Sequence, residues 1–441
     1  MIEMEMNQMK RKVLSLAMIA ALCLTMLPTA GWAADAPVEY IDFDENGVQI
    51  TEPRSCDQYS LVTENNTEWN ASDENNGWYV VSGEVTIGKK EAPQRVTVSG
   101  DVHLILANDA KLTVNGGISV NAGNSLTVYA QPAENDKTTG SLTVENVEEG
   151  NAGIGGDVQQ SGDTITINGG AITATGGSNG AGIGGGANGS GDKLTINGGE
   201  INATGGTGGA GIGGAGIGDG YTGSGSTIKI HGGEITATGY SGSAGIGSGF
   251  AASIGSATVI NIDGGIVTAT CSDDALETLG GAGIGGGGAA NSSVAITISG
   301  GTVTATGGKG ADGIGNGGGK SSSAQPATFS TGEDGNAVIY ATAGEGTDTE
   351  AIVGKDDTSN WRGVIFLGND GKIYGDSVTP NENFSVPESS TLTIESGKTL
   401  VVADEITLTN EGTITGSGSI RLYGTLTGKG TIEKRTTSSS G

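Results

Sequence analysis

Apolar and polar residues alternate with a period of two through the middle of the chain, in bursts separated by paired glycines. In TITINGGAITATGG, beginning at Thr164, Ile165 and Ile167 alternate with threonines. After Gly169 and Gly170, Ile172 and Ala174 alternate with Thr173 and Thr175. A period of two in β-branched residues predicts short half-buried strands. The glycine pair supplies the φ > 0 conformation that a sharp corner needs. Four further copies follow: KLTINGGEINATGG from Lys193, TIKIHGGEITATGY from Thr227, VINIDGGIVTATCS from Val259 and AITISGGTVTATGG from Ala295. Each is followed by a run of small residues around one isoleucine, as in NGAGIGGG at Asn179–Gly186. The isoleucines are Ile183, Ile212, Ile246, Ile284 and Ile314, with Ile154 ahead of the first copy.

Aligning the copies stacks like residues into columns. One reads Ile167, Ile196, Ile230, Ile262, Ile298. A second reads Ile172, Ile201, Ile235, Val267, Val303, and a third Ala174, Ala203, Ala237, Ala269, Ala305. Each buried isoleucine contributes about 1.5–3 kcal/mol, and a single unit cannot stand alone whereas a stack can. The predicted fold is all-β: a parallel β-helix (solenoid) with three faces per coil, right-handed by the crossover rule. Its third face is the glycine-rich segment, plugged by the lone isoleucine. Asn168, Asn197, His231, Asp263 and Ser299 precede the turn glycines, where residues tolerant of the left-handed region are expected.

The flanks follow the same pattern less regularly. Residues 34–90 are expected to form an N-terminal cap, with Trp69 and Trp78 covering an open coil. Residues 91–320 carry the repeats, 321–380 a less regular β segment, 381–435 the C-terminal coils and 436–441 a linker or a truncated end. GVIFLGNDGKIYG predicts a hairpin turning at Asn369-Asp370-Gly371.

Composition narrows the function. The 441 residues include 84 glycines but only 8 prolines, with 4% aromatics, which suits a thin repetitive core. The net charge of −28 argues against nucleic acid as a partner. The acid is densest from Asp35 to Glu74, where a solvated face is expected. Residues 1–33 read as a secretory signal peptide starting at Met9. Lys10, Arg11 and Lys12 precede the apolar run Val13–Leu27, and small residues lie at Gly31–Ala33. The run is shorter than the ~20 residues of a membrane span. The protein is thus expected to be secreted or on a bacterial cell surface, and not integral to a membrane. Cys56 and Cys271 leave a disulfide open.

Chemistry is sparse. No GK[ST] follows the glycine runs, so a phosphate loop is not indicated. GANGSGDKLTI places Asp192 near a calcium-repeat pattern, but the spacing differs and does not recur. His103 and His231 are the only histidines, which disfavours a nucleophilic triad. Asp273 and Asp274 form the one acid pair within the repeats. With Asp312 they are the weak metal candidates; no cofactor is expected, and calcium is the ion left open. The TAT repeats place Thr173, Thr175, Thr204, Thr236, Thr238, Thr268, Thr270, Thr304 and Thr306 in outward rows of hydroxyls. Threonine is also simply a soluble strand former. Similar rows on other solenoids bind ice, and a flat sugar-binding face is the other functional reading. Tyr221 and Tyr240, with Phe250, are the stacking candidates.

The INGG…ITATGG…AGIGGG pattern, with WYVVSGEVTI and RVTVSGDVHLILANDAKLTVNGGISV, resembles secreted bacterial glycine-rich proteins of the carbohydrate-binding or adhesin-like type. These belong to the pectin-lyase-like superfold. The resemblance runs from about Trp78 to Ile432. It implies a right-handed β-helix, a surface or secreted location, and an extracellular polysaccharide or a host or bacterial surface glycan as partner. The chain is also similar to calcium-dependent, pectin-binding relatives with a DGI motif. ADGIG at Ala311–Gly315 supplies that Asp, whereas the other copies do not. The expectation is a non-catalytic binding or adhesin-like protein. The alternatives are a polysaccharide lyase or hydrolase on the same scaffold, and a structural stalk.

Overall fold

The computed structural model describes residues 36–434, apart from 73, 146–147, 161–162, 190–192, 208–211, 214–225, 252–256, 273–278, 290–292, 320–325, 334 and 347. The leader at 1–33, Tyr221, Asp192, Asp273, Asp274 and the 436–441 tail therefore lie outside the described residues. Among the described residues, three long sheets of nine, ten and fourteen strands make up the main body. Each coil contributes one strand to each sheet, as Ile154–Gly155, Thr164–Ile167 and Ala171–Thr175 do in turn. Neighbouring coils pair in parallel, so the chain is an all-β parallel β-helix.

The columns expected from the repeats are the register of the ladders. Ile167, Ile196, Ile230, Ile262 and Ile298 pair in succession. So do Ala174, Ala203, Ala237, Ala269 and Ala305. These residues are at most 1% exposed. The plug column of the glycine-rich face is as regular: Val96, Ile118, Ile154, Ile183, Ile212, Ile246, Ile284 and Ile314 pair in order, and Ile352 bridges the last.

The glycine-rich wall has a specific geometry. The amide of Ala282 donates to the carbonyl of Gly286 at 2.9 Å, and Ala181 donates to Gly185 at 3.1 Å. This pinches the segment into a loop whose tip, Ile284–Gly285, enters the sheet. Gly285 has φ +139°, and a Cβ there would meet the Gly315 carbonyl oxygen at 2.0 Å. Only glycine fits both the conformation and the stacking distance. At the other corner the positive φ sits on the second glycine of each pair, such as Gly199 at +101°. The preceding polar residues, Asn168 to Ser299, are not left-handed as expected. Their side chains instead form a ladder: Asn197 donates to Asn168 at 2.8 Å, and His231 meets Asp263 at 2.9 Å.

The ends depart from expectation. Parallel pairing begins at Ser60–Leu61 and Glu68–Asn70, within the segment expected to be a cap. Trp69 is fully buried in the main core, and Trp78 stacks against His103 at 4.3 Å on the outer face of the ten-stranded sheet. Neither tryptophan simply lids an open coil. The N-terminal hairpin, Val38–Tyr40 paired with Arg54–Cys56, leads into a strap along the corner ladder. Ile41 donates to Ala130, Asp42 accepts from Asn168, Phe43 lies near Gly198, and Gly47 lies against His231. The strap thus ties four successive coils together. Cys56 and Cys271 are both buried but lie in different sheets, so the disulfide left open by the sequence is not formed between them.

Arg95 is a second tie. Its guanidinium donates to the carbonyls of Gly116 and Ala152 and pairs with Asp157 at 2.6 Å.

The C-terminal coils are not a continuation of the same tube. Gly363–Leu367 and Asp370–Tyr374 pair antiparallel, which reverses strand direction in the fourteen-stranded sheet. The turn is Gly368-Asn369, one residue earlier than expected, with Gly368 at φ +62°. Gly371 is inside the strand because the Phe366 ring lies over it. After the reversal the other face of the sheet is used. Ile339, Ala341 and Ile365 belong to the first core, whereas Val338, Val364, Phe366, Ile373, Leu392 and Phe384 form a second. Two solenoids therefore share one sheet and bury its opposite faces. The final coil leaves Leu422, Leu426 and Ile432 exposed.

Candidate functional site

The outward side of the fourteen-stranded sheet carries the threonines. Alternation puts Ile172 and Ala174 inside and Thr173 and Thr175 outside, as the pleat requires. Register then aligns them between coils. Thr173, Asn202, Thr236, Thr268 and Thr304 form one row, and Thr175, Thr204, Thr238, Thr270 and Thr306 a second. All nine predicted threonines share this face. Thr173 and Thr236 are exposed and the others half-buried. Tyr240 lies on the same face, because it follows Thr236 and Thr238 in phase. Phe250 instead stands against Gly242 in the loop after Ile246–Gly247.

The rows are longer than the TAT motif. Thr86, Thr113 and Thr143 continue the first row toward the N-terminus, and Thr342 extends the second toward the C-terminus. The alternation in EVTI, KLTVN and SLTVE was the available signal. It was obscured because no glycine pair precedes those strands and none carries TAT. Beside the first row runs a third outward row containing Glu84, Lys111, Glu200 and Glu234, all exposed. At the far end Tyr340 takes the place of threonine; its ring stacks on Phe366 at 4.9 Å and its hydroxyl accepts from the Ser385 amide at 3.0 Å.

Asp312 is in a different place. It occupies the alanine position of the last pinched loop, and its amide donates to Asn316 at 2.9 Å. Its carboxylate accepts from the Asn316 amide and side chain and from the Glu350 amide at 2.8–3.0 Å. Burial pushes its pKa above the ordinary carboxylate range, against these hydrogen bonds. It borders a cleft of about 730 Å³ that also touches Asn316, Asp348, Thr349, Glu350 and Lys355. Glu350 faces Lys355 at 3.7 Å. No group of three or more His, Cys, Asp or Glu side chains suited to a metal forms among the described residues.

Residues 165–187, 228–250, 260–288 and 296–318 match a family model described as a beta helix repeat. No curated protein and no solved structure matches the chain. The matched segments begin at the strands before each corner and end in the pinched glycine loops, so they cover the scaffold that presents the threonine rows.

Proposed function

We propose that this β-helix is a secreted or cell-surface protein that binds polysaccharide without cleaving it, in the manner of an adhesin. The observation that carries the reading is the outward face of the fourteen-stranded sheet. Threonine hydroxyls stand in register there across successive coils. Such rows offer repeated donors and acceptors to a ligand that itself repeats. A single hydroxyl contact is weak, but an array engaging one chain gains by multivalency. No cofactor is required by this reading; calcium is a variable to be tested.

The test is binding of the purified mature chain to a panel of polysaccharides with calcium and with chelator. Retention on at least one glycan, lost when Thr236 and Thr268 are both replaced by lysine, supports the reading. A second reading has its own observation: the cleft with the raised Asp312 carboxyl beside Glu350 suits a glycan-cleaving enzyme. Release of oligosaccharides on prolonged incubation would establish that second reading and remove the first.

A further inference from the structure

The two cores meet on opposite faces of one sheet, and this has a consequence for the threonine face. The second solenoid stands on the side of the sheet where the threonines point. At that junction Thr302 donates from its hydroxyl to the Asn383 carbonyl at 2.9 Å. The Asn381 side chain accepts from the Gly301 amide at 2.9 Å. Tyr340, next in the row after Thr304, is packed beneath Ser385. The first row therefore runs in the open from Thr86 to Thr304 and then meets a wall. With strands about 4.8 Å apart, seven intervals give a track of about 34 Å.

Its flanking charge is net negative. Glu84, Glu200 and Glu234 flank the row and are exposed, whereas Glu145, at the start of the second row, is paired with Lys90 at 3.4 Å and adds no net charge. Flanking residues lie two positions along the strand, about 6.6 Å away. That is inside the Debye length of about 8 Å at physiological salt, so their field reaches a ligand on the track. Lys111 is the one cation of the flanking row, in a chain of net charge −28.

Resting on the carbohydrate-binding reading, we infer that the face is a track closed at one end, which takes an extended uncharged polysaccharide and rejects polyuronates. The hydroxyl rows suit a neutral polyhydroxy chain, whereas a uronate chain would set carboxylates against carboxylates. The wall stops the chain, so contacts stop accumulating once an oligomer fills the track.

Calorimetry or retardation electrophoresis in chelator, with cello- and manno-oligosaccharides of increasing length and with oligogalacturonates, tests this. Affinity for a neutral series should rise with length and then level off. Oligogalacturonates of equal length should bind about tenfold or more weakly and improve with salt. The double variant Glu200→Gln/Glu234→Gln should gain oligogalacturonate binding with neutral binding unchanged; both side chains are exposed, so folding is not at stake. Equal binding of uronates by the unaltered chain, or affinity that climbs without levelling, overturns the inference while glycan binding stands. Binding of no glycan of either charge overturns both.

Discussion

Replacing Gly285 with alanine tests whether the glycine runs are packed structure. The residue has φ +139°, a region essentially closed to side chains, at a strain of about 1–3 kcal/mol. The new methyl would lie 2.0 Å from the carbonyl oxygen and 2.9 Å from the carbonyl carbon of Gly315. Those are backbone atoms of the next coil, so relief requires prising coils apart, at a further ~1–3 kcal/mol. The expected destabilisation is about 2–6 kcal/mol. Gly83→Ala is the control: its φ is +73° and nothing lies within 4 Å of a Cβ, so only the left-handed strain of about 1–2 kcal/mol applies. Urea unfolding followed by circular dichroism gives the difference in stability. Hydrogen exchange locates it, because the Ser248 amide donates to Gly285 and the Gly286 amide to Gly315 at 2.9–3.0 Å. Both amides should lose protection in Gly285→Ala. A flexible segment would behave otherwise: alanine there stabilises by about 0.4–1 kcal/mol through the unfolded chain. An unchanged urea midpoint with unchanged protection at Ser248 and Gly286 would refute the stacked wall.

Other perturbations probe the ties between coils. Arg95→Ala removes the ionic partner of the partly exposed Asp157 and the contacts to the Gly116 and Ala152 carbonyls, and should cost about 1–3 kcal/mol, read by urea unfolding. Burial alone would raise the Asp157 pKa, but Arg95 with Asn121 and Ser119 outweighs it and holds the carboxyl low. That contribution is full above about pH 3.9 and should be lost as pH falls through the lower folded value, a loss absent in Asp157→Asn. His103 shifts down because of burial, against the pull of Asp101. Its neutral form is thus favoured by folding, and stability should decline as pH falls below about 6.5, with the slope removed in His103→Asn. Tyr40→Ala strips a ring 5.0 Å from Trp78 and should red-shift tryptophan emission while Trp69 stays buried. Ile432→Lys should reduce concentration-dependent association, measured by light scattering, since among the described residues Thr431–Lys434 is an edge strand of the fourteen-stranded sheet and Ile432 is 52% exposed.

The coil itself was legible in the sequence. A period of two set which residues face inward, and recurrence after each glycine pair set which residues stack. Ile183 and its equivalents were recognisable as plugs because a single large side chain recurs among glycines. These are relations between residues one coil apart, and repetition exposes them. The threonine face followed from the same alternation, though its first strands were missed where the motif weakens at Thr86, Thr113 and Thr143.

What only the tertiary structure decided is lateral and long-range. Asp42 meets Asn168 across 126 residues, and Asn381 meets Asp263 across 118. Such contacts have no period, so the strap, the burial of Trp69 and the Arg95 clamp left no pattern to read. The reversal at Gly368 was visible as a hairpin, but its effect was not. One antiparallel turn changes the strand direction, and Val338, Tyr340 and Phe366 then offer the outer face of the sheet to a second core. Period-two alternation places apolar side chains on a face without saying which body will cover it. That choice, made by packing, sets the second solenoid at the end of the first threonine row.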